Sequence, residues 1–474
     1  MGTTDEASEL GADERAAFAT ALERLARDEE RAANAVAMIG LLDSPELSAL
    51  TAVRLLDLSE RDTAAALDRL TGPGVLEAVS PDRYRMDDEV RAYSAELAAE
   101  RLDDAERTAA LTRVLGLYVS VAWPTRSLSR PGIPNLPDVR PAGCPEHLRE
   151  PAAGMAWLDS EHTTVVGVVR RAAAQPGVDP AVLQRLALGL MTFYATWLHL
   201  RDWIEVVEAA LDAGGRTGVA AAWLLDDLAL AYSGVGEHSR AVDSARRALE
   251  LFEELGDLRG QASSCTCLSL VLGRLERDEE SLSYCRRSLA ISRDLGDWRA
   301  EAAACRDLGL LLWKAGDREE ALRYERRSLA LYEHLGIQRG IGMAAVNTGS
   351  MLRELGRYDE ALEHLTRSVT VCRAVGDRAG EAEALEELGF LYAELGRFPE
   401  GLTLLEDGLA LADDTSDPRR RASVRHRIGL AMARAGRRDE AAAHWTAALT
   451  ISEDHGDHQG AAELRRLLAD RRTD

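Results

Sequence analysis

Lysine is almost missing from this sequence: of 57 basic residues only Lys314 is a lysine, and the rest are arginine. Any chemistry that needs a primary amine therefore has one candidate. Positive charge as a whole is short. The formal net charge of -23 argues against broad nucleic-acid binding, because an acidic chain repels phosphate backbones. No run of about 18 apolar residues occurs, so no membrane-spanning helix is expected. The opening MGTTDEASEL has neither a basic region nor an apolar stretch and does not read as a secretory signal. The six cysteines show no disulfide spacing, which fits a reduced, cytoplasmic setting. Aromatics are only 5%, whereas Ala, Leu, Glu and Arg, all strong helix formers, dominate. An all-α chain is expected. At 474 residues it is too long for one core, and 46% apolar with 29% charged residues is a folded composition.

A 40-residue clock runs through the second half. Gly-Asp recurs at Gly256-Asp257, Gly296-Asp297, Gly376-Asp377 and Gly456-Asp457, with Gly336 and Asp417 in the same phase. Half a period away lie Gly236, Gly316, Gly356, Gly396 and Gly436, with Glu276 as the exception. Two glycine-marked turns per period mean two helices per repeat, since helices commonly close through a left-handed residue. Small residues also keep fixed columns: Ala229, Ser269, Gly309, Gly349, Gly389 and Gly429 on the first helix; Ala241, Ser281, Ala321, Ala361, Gly401 and Ala441 on the second. Such columns mark seams where helices approach closely.

The segment LGRYDEAL (Leu355 to Leu362) and the small-residue order resemble the tetratricopeptide-repeat (TPR) consensus, in a longer 40-residue form. HEAT repeats share the period but lack this order. The resemblance implies a right-handed α-solenoid with six repeats over 220–459, a degenerate helical stretch over 156–219 and a capping helix over 460–474.

The first half has another rhythm. Residues 1–30 read as a helical or flexible segment. Helical patterns cover about 31–42, 46–56 and 59–71, followed by strands at 75–79 and 84–86 and a helix from 88 to 102. Three helices and a two-stranded wing suggest a winged-helix module over 31–122. Half of the prolines fall between Pro124 and Pro151, so 123–155 is expected to be an extended connection. The strings Ala66 to Glu100 and AWLDSEH (Ala156 to His162) are similar to bacterial STAND regulators of the NB-ARC type, which join a P-loop ATPase, a winged helix and a TPR sensor. That resemblance implies a phosphate-binding lysine after a Gly-rich loop, yet Lys314 sits at WKAGD inside a repeat. It also implies a Met-His-Asp nucleotide sensor, but Met86-Asp87-Asp88 stands there, and an aspartate repels a diphosphate. A P-loop domain is thus expected to be lacking, and nucleotide binding and cofactors are not expected.

The recognition-position helix of the wing module carries Glu60, Asp62 and Asp68 against Arg61 and Arg69, which is not a DNA-binding face; Arg83 and Arg85 are the supportive features. Cys265, Cys267, Cys285 and Cys305 are close in sequence, but Cys265 and Cys305 share one repeat column, Cys285 occupies a packing column, and Cys265 and Cys267 lie about 200° apart on one helix; Cys144 with His147 has no further partners. No metal site is expected. No catalytic motif is found, so no enzyme activity is expected.

What remains is the TPR groove, which the family lines with the first helix of each repeat. The matching columns hold Asp226, Asp227 and Leu230; Thr266, Cys267 and Arg274; Arg306, Asp307 and Lys314; Val346, Asn347 and Glu354; Glu383, Glu386, Glu387, Phe390 and Glu394; and His426, Arg427 and Arg434. Asn347 suits a peptide backbone, and Arg306 with Lys314 suits a carboxylate. The carboxylates of the fifth set share a face at i, i+3 and i+4. They either await a cationic ligand or are balanced by Arg427 and Arg434. The expected function is a cytoplasmic, non-catalytic regulator or adaptor that binds a protein or peptide in this groove. The alternatives are a peptide-responsive transcription regulator and a pathway enzyme built on the groove.

Overall fold

The structure is a computed structural model and describes residues 30–72, 75–126, 143–414 and 417–470. Among these residues it is an all-α TPR solenoid with one small sheet, and no helix is long and apolar enough to cross a membrane. The chain divides into two compact units, Met1–Leu275 and Glu276–Asp474.

In the first unit, α1 (Glu30–Ile39), α2 (Ala49–Leu56) and α3 (Glu60–Thr71) surround a three-stranded antiparallel sheet of β1 (Glu46–Ser48), β2 (Glu77–Ser80) and β3 (Arg83–Arg85), in the order β1-β3-β2. Two expectations need correction here. The helix expected over 46–56 starts only at Ala49, because 46–48 pair with β3 and the Ser48 hydroxyl caps α2 by accepting from Thr51 N–H at 3.1 Å. The helix expected to reach 42 ends at Ile39, where Gly40 lets the chain pass against the Ser94 carbonyl with no room for a Cβ. Next come α4 (Asp88–Arg101), α5 (Asp104–Arg126), α6 (Pro151–Ala174), α7 (Pro180–Trp197) and α8 (Leu200–Gly214).

The extended connection expected over 123–155 is also too broad. Pro124 falls in the last turn of α5, and Pro151 opens α6 at its first turn, where a missing N–H costs nothing. Pro131, Pro134, Pro137 and Pro141 lie outside the described residues, as does the expected segment up to residue 29.

The repeats are six helix pairs. In the first unit these are α9 (Gly218–Gly234) with α10 (His238–Leu255), then α11 (Leu258–Arg274). The second unit begins with α12 (Asp278–Asp294) and continues with α13 (Trp298–Ala315), α14 (Arg318–Leu335), α15 (Gln338–Glu354), α16 (Tyr358–Ala374), α17 (Arg378–Glu394), α18 (Phe398–Asp414), α19 (Pro418–Arg434), α20 (Arg438–Asp454) and the closing α21 (His458–Asp470).

The Gly-Asp marker has two halves. Gly256, Gly296, Gly376 and Gly456 sit at φ of +64° to +70°, closing one helix. The aspartate then caps the next: Asp257, Asp297, Asp377 and Asp457 accept from the backbone N–H three residues on at 3.0–3.2 Å. The small-residue column is the seam inside a repeat, with Gly349 against Leu365 and Gly389 against the backbone of Gly401. Leu308, Leu312, Leu352, Leu365, Leu385 and Leu391 belong to an apolar core cluster that runs from α12 to α17, and a further cluster around Leu405, Ile428 and Trp445 continues beyond it. There α15 packs on α17 and α17 on α19, so the first helices form a continuous layer.

Candidate functional site

Helix α17 presents Glu383, Glu386, Glu387, Phe390 and Glu394 on one face, and its neighbours in the first-helix layer answer with arginines. From α15, Arg353 reaches Glu387 at 3.3 Å and Glu394 at 3.2 Å. From α19, Arg420 reaches Glu386 at 2.9 Å and Glu383 at 3.0 Å. Arg427 reaches Glu386 at 2.9 Å and Glu387 at 2.5 Å, and Arg434 reaches Glu394 at 3.4 Å. The guanidinium carbons of Arg353, Arg427 and Arg434 lie 5.2, 4.8 and 5.1 Å from the centre of the Phe390 ring, within cation–π range. Four arginines and four glutamates cancel. The Glu386 side chain is only 1% exposed, while Arg434 is 47% exposed and Glu383 41%. The constellation has a dry base and a wet rim.

The acidic face is therefore balanced from within the chain, by Arg427 and Arg434 as the sequence allowed, and by Arg353 and Arg420, which it did not single out. A signal existed. Arg353–Glu387, Arg420–Glu386, Arg427–Glu387 and Arg353–Glu394 are separated by 34, 34, 40 and 41 residues, close to one repeat.

The other groove candidates are placed differently. Asp226 and Asp227 are fully buried where α9 packs on α11, and Asp226 accepts from the hydroxyls of Ser263 and Ser264 at 2.7 and 2.9 Å. Cys267 and Val346 are also buried, Thr266 bonds back to the Ala262 carbonyl, and Leu230 is half-buried. Arg274 donates to the Ser233 carbonyl and hydroxyl. Arg306 and Lys314 do not converge: Arg306 pairs with Asp307 at 2.7 Å, and Lys314 with Asp278 at 2.8 Å. Glu354 lies between Arg318 and Arg353. His426 lines a cavity of about 540 Å³ with Ser423, Ser452, Asp457 and Leu464; burial holds its imidazole below the usual range.

Asn347 meets a residue that sequence reasoning passed over. Its Nδ2 donates to Glu325 Oε1 at 3.2 Å, and Glu325 is fully buried against Gly309. Burial raises the Glu325 carboxyl to about 8, opposed by the Asn347 bond and by Arg306. The repeat column containing Glu325 reads Ala245, Cys285, Glu325, Leu365, Leu405 and Trp445, so one acid stands in a packing column.

In the first unit, the arginines of β3 are used internally. Arg83 and Arg85 both bind Glu46, at 3.2 and 2.7 Å, and Arg83 also binds Glu161 at 2.8 Å. Glu161, from the AWLDSEH string, is fully buried and further accepts from Thr51 at 2.6 Å and Tyr118 at 2.9 Å. Asp87, in the Met86-Asp87-Asp88 string, caps α4 through Val90 N–H at 2.7 Å, and Asp88 pairs with Arg91.

Comparison with known proteins agrees with this architecture. The tetratricopeptide-repeat family pattern matches residues 261–334 and 340–414. The chain is 29% identical over 261 residues to the regulatory protein AfsR of Streptomyces coelicolor, covering 53% of this chain and 22% of that protein. It thus spans less than a quarter of that relative's length. Among solved structures it is similar to aspartyl phosphate phosphatase F from Bacillus subtilis (TM-score 0.51, 12% identity, 89% of this chain and 93% of that one). The apo form of the quorum sensor NprR from B. thuringiensis is equally similar in fold (TM-score 0.51, 13% identity, 85% of this chain and 96% of that one). Both structural likenesses concern the fold.

Proposed function

We infer that this chain is a non-catalytic regulatory module that holds a segment of a partner protein on the first-helix layer of the Glu276–Asp474 unit. The observation that carries this reading is the arginine-framed ring of Phe390. The charges beneath it are mutually paired, while the rim is exposed to solvent. Arg434 reaches its carboxylate only at 3.4 Å and is half exposed. A peptide carboxylate can replace that contact while an apolar side chain meets the ring. The groups gathered there are forks, carboxylates and an aromatic face, which suit recognition rather than bond making. The likeness to a protein named as regulatory, and to one named a quorum sensor, supports the same class of role.

The N-terminal helices and three-stranded sheet suit a winged-helix module that docks to protein. Its wing arginines are paired with Glu46 and Glu161 and so do not offer a basic face to DNA. Lys314, paired with Asp278 at the end of α13, supports the reading that this stretch binds no nucleotide.

The test compares the intact chain with Phe390→Ala/Arg434→Glu as baits in host extract, after circular dichroism shows that both are folded. A partner kept by the first and lost by the second is then mapped to a synthetic peptide. The expected result is saturable peptide binding weakened at least about tenfold by the variant, on the scale of losing one buried charge-assisted contact. Equal binding by both baits removes the site from Phe390, and no partner on either removes the adaptor reading.

A further inference from the structure

A second polar cluster, in the Met1–Leu275 unit, lies apart from the Phe390 site. Helix α6 carries Asp159-x-x-His162, and the turn into α8 carries His199-x-x-Asp202, the same pair in reverse order. The fold crosses them. His162 Nδ1 lies 2.7 Å from Asp202, and His199 Nε2 lies 2.8 Å from Asp159. The two imidazoles stack with centroids 4.1 Å apart and planes 10° from parallel, so an ion held by both requires one ring to turn out of the stack until both nitrogen lone pairs face it. One ligating atom from each of His162, His199 and Asp202 falls within 4.8 Å of the others. Their side chains are 28–30% exposed, so the cluster is sheltered yet open to ions from solvent.

The backbone is bent to make this arrangement. Leu198, which closes α7, has φ +60°, a left-handed conformation disfavoured for leucine, and its side chain is 69% exposed. That side chain gains little by being there. The bend closes α7 and leads directly into His199, the residue before α8. Partly exposed His–Asp contacts stabilise little by themselves and do not account for it.

We propose that His162, His199 and Asp202 bind a divalent transition-metal ion, with zinc the ion that two imidazole nitrogens and one carboxylate oxygen suit, and water in the fourth position. Asp159 is the positioning residue: it holds one nitrogen of the His199 ring and so fixes the tautomer that the ion meets. The ion displaces the proton shared between His162 and Asp202, leaves the His199–Asp159 hydrogen bond in place, and clasps α6 to α8.

The chain is stripped with chelator and titrated with cobalt(II) chloride and, calorimetrically, with zinc chloride. The expected result is visible cobalt absorption of a low-coordinate site and zinc binding that saturates. His162→Ala/His199→Ala binds one equivalent fewer, and Asp159→Asn weakens that equivalent by about 10- to 100-fold. Asp202→Asn, nearly isosteric, provides the same reading if the double variant fails to fold. Absence of cobalt absorption, or equal zinc stoichiometry in the parent chain and in a folded variant, overturns the proposal.

Discussion

Glu386 and Glu383 lie one turn apart on α17 and differ in consequence. Glu386 is shut away with Arg420, Arg427 and Ser423 as partners, whereas Glu383 sits at the wet rim with Arg420 alone. Removing Glu386 leaves Arg420 with Glu383 and Arg427 with Glu387, but it takes the one carboxylate at the dry base away and leaves the cluster with an excess positive charge. Glu386→Ala is expected to lower unfolding free energy by about 3–5 kcal/mol, and Glu383→Ala by less than about 1 kcal/mol, both read from urea midpoints. Glu276 shows the opposite case. It takes a turn that glycine fills in the other repeats and adopts φ +59° with its side chain exposed. A left-handed non-glycine residue is disfavoured by about 1–2 kcal/mol, partly offset by the greater freedom of glycine in the unfolded chain. Glu276→Gly is expected to stabilise by about 0.5–1 kcal/mol in the same measurement.

At the scale of the element, helix pairs were legible because their turn chemistry repeats. Glycine marked each left-handed closure, and the aspartate after it proved to be the cap of the next helix. The small-residue columns were legible as seams, and the structure shows how tight they are. A Cβ on Gly389 would stand 2.8 Å from the Gly401 carbonyl oxygen, backbone that cannot rotate aside. Gly389→Ala is therefore expected to cost about 1–3 kcal/mol, the usual range for overpacking, measured as a lowered urea midpoint. A column, however, tells which face a residue occupies and not how deep it lies. That is why Asp226 and Asp227 read as groove residues and are buried, and why Arg353 and Arg420 went unnoticed although they answer α17 from one repeat away. Strand β1 was illegible for another reason. Three residues carry too little alternation to be told from the helix that follows, and only pairing with β3 decides them.

At the scale of the whole molecule, stability of a repeat array is close to a sum of local terms, so one misfit residue imprints its own pH dependence on the Glu276–Asp474 unit. Glu325 is that residue. The groups facing it are Asn347 on α15, Arg306 and Asp307 on α13, and Tyr332 on its own helix. Its carboxyl is raised from 4.5 to about 8, so the folded state keeps the proton after the unfolded chain has released it. The unfolded state then binds fewer protons, and stability must fall as pH rises. The contribution is absent below about pH 4.5, grows by about 1.4 kcal/mol per unit across the interval and is complete above about pH 8. Glu325→Gln keeps an oxygen for Asn347 and cannot ionise. Urea unfolding of both proteins at pH 5, 6, 7 and 8 is expected to give similar stabilities at the acid end. The variant should be a few kcal/mol more stable at pH 8, because its advantage accumulates at the slope set by the displaced proton. Parallel curves across that range would mean that Arg306 neutralises the carboxylate inside the fold, and Glu325 would then be a buried member of the Arg306–Asp307 ion pair rather than a protonated acid in the packing column.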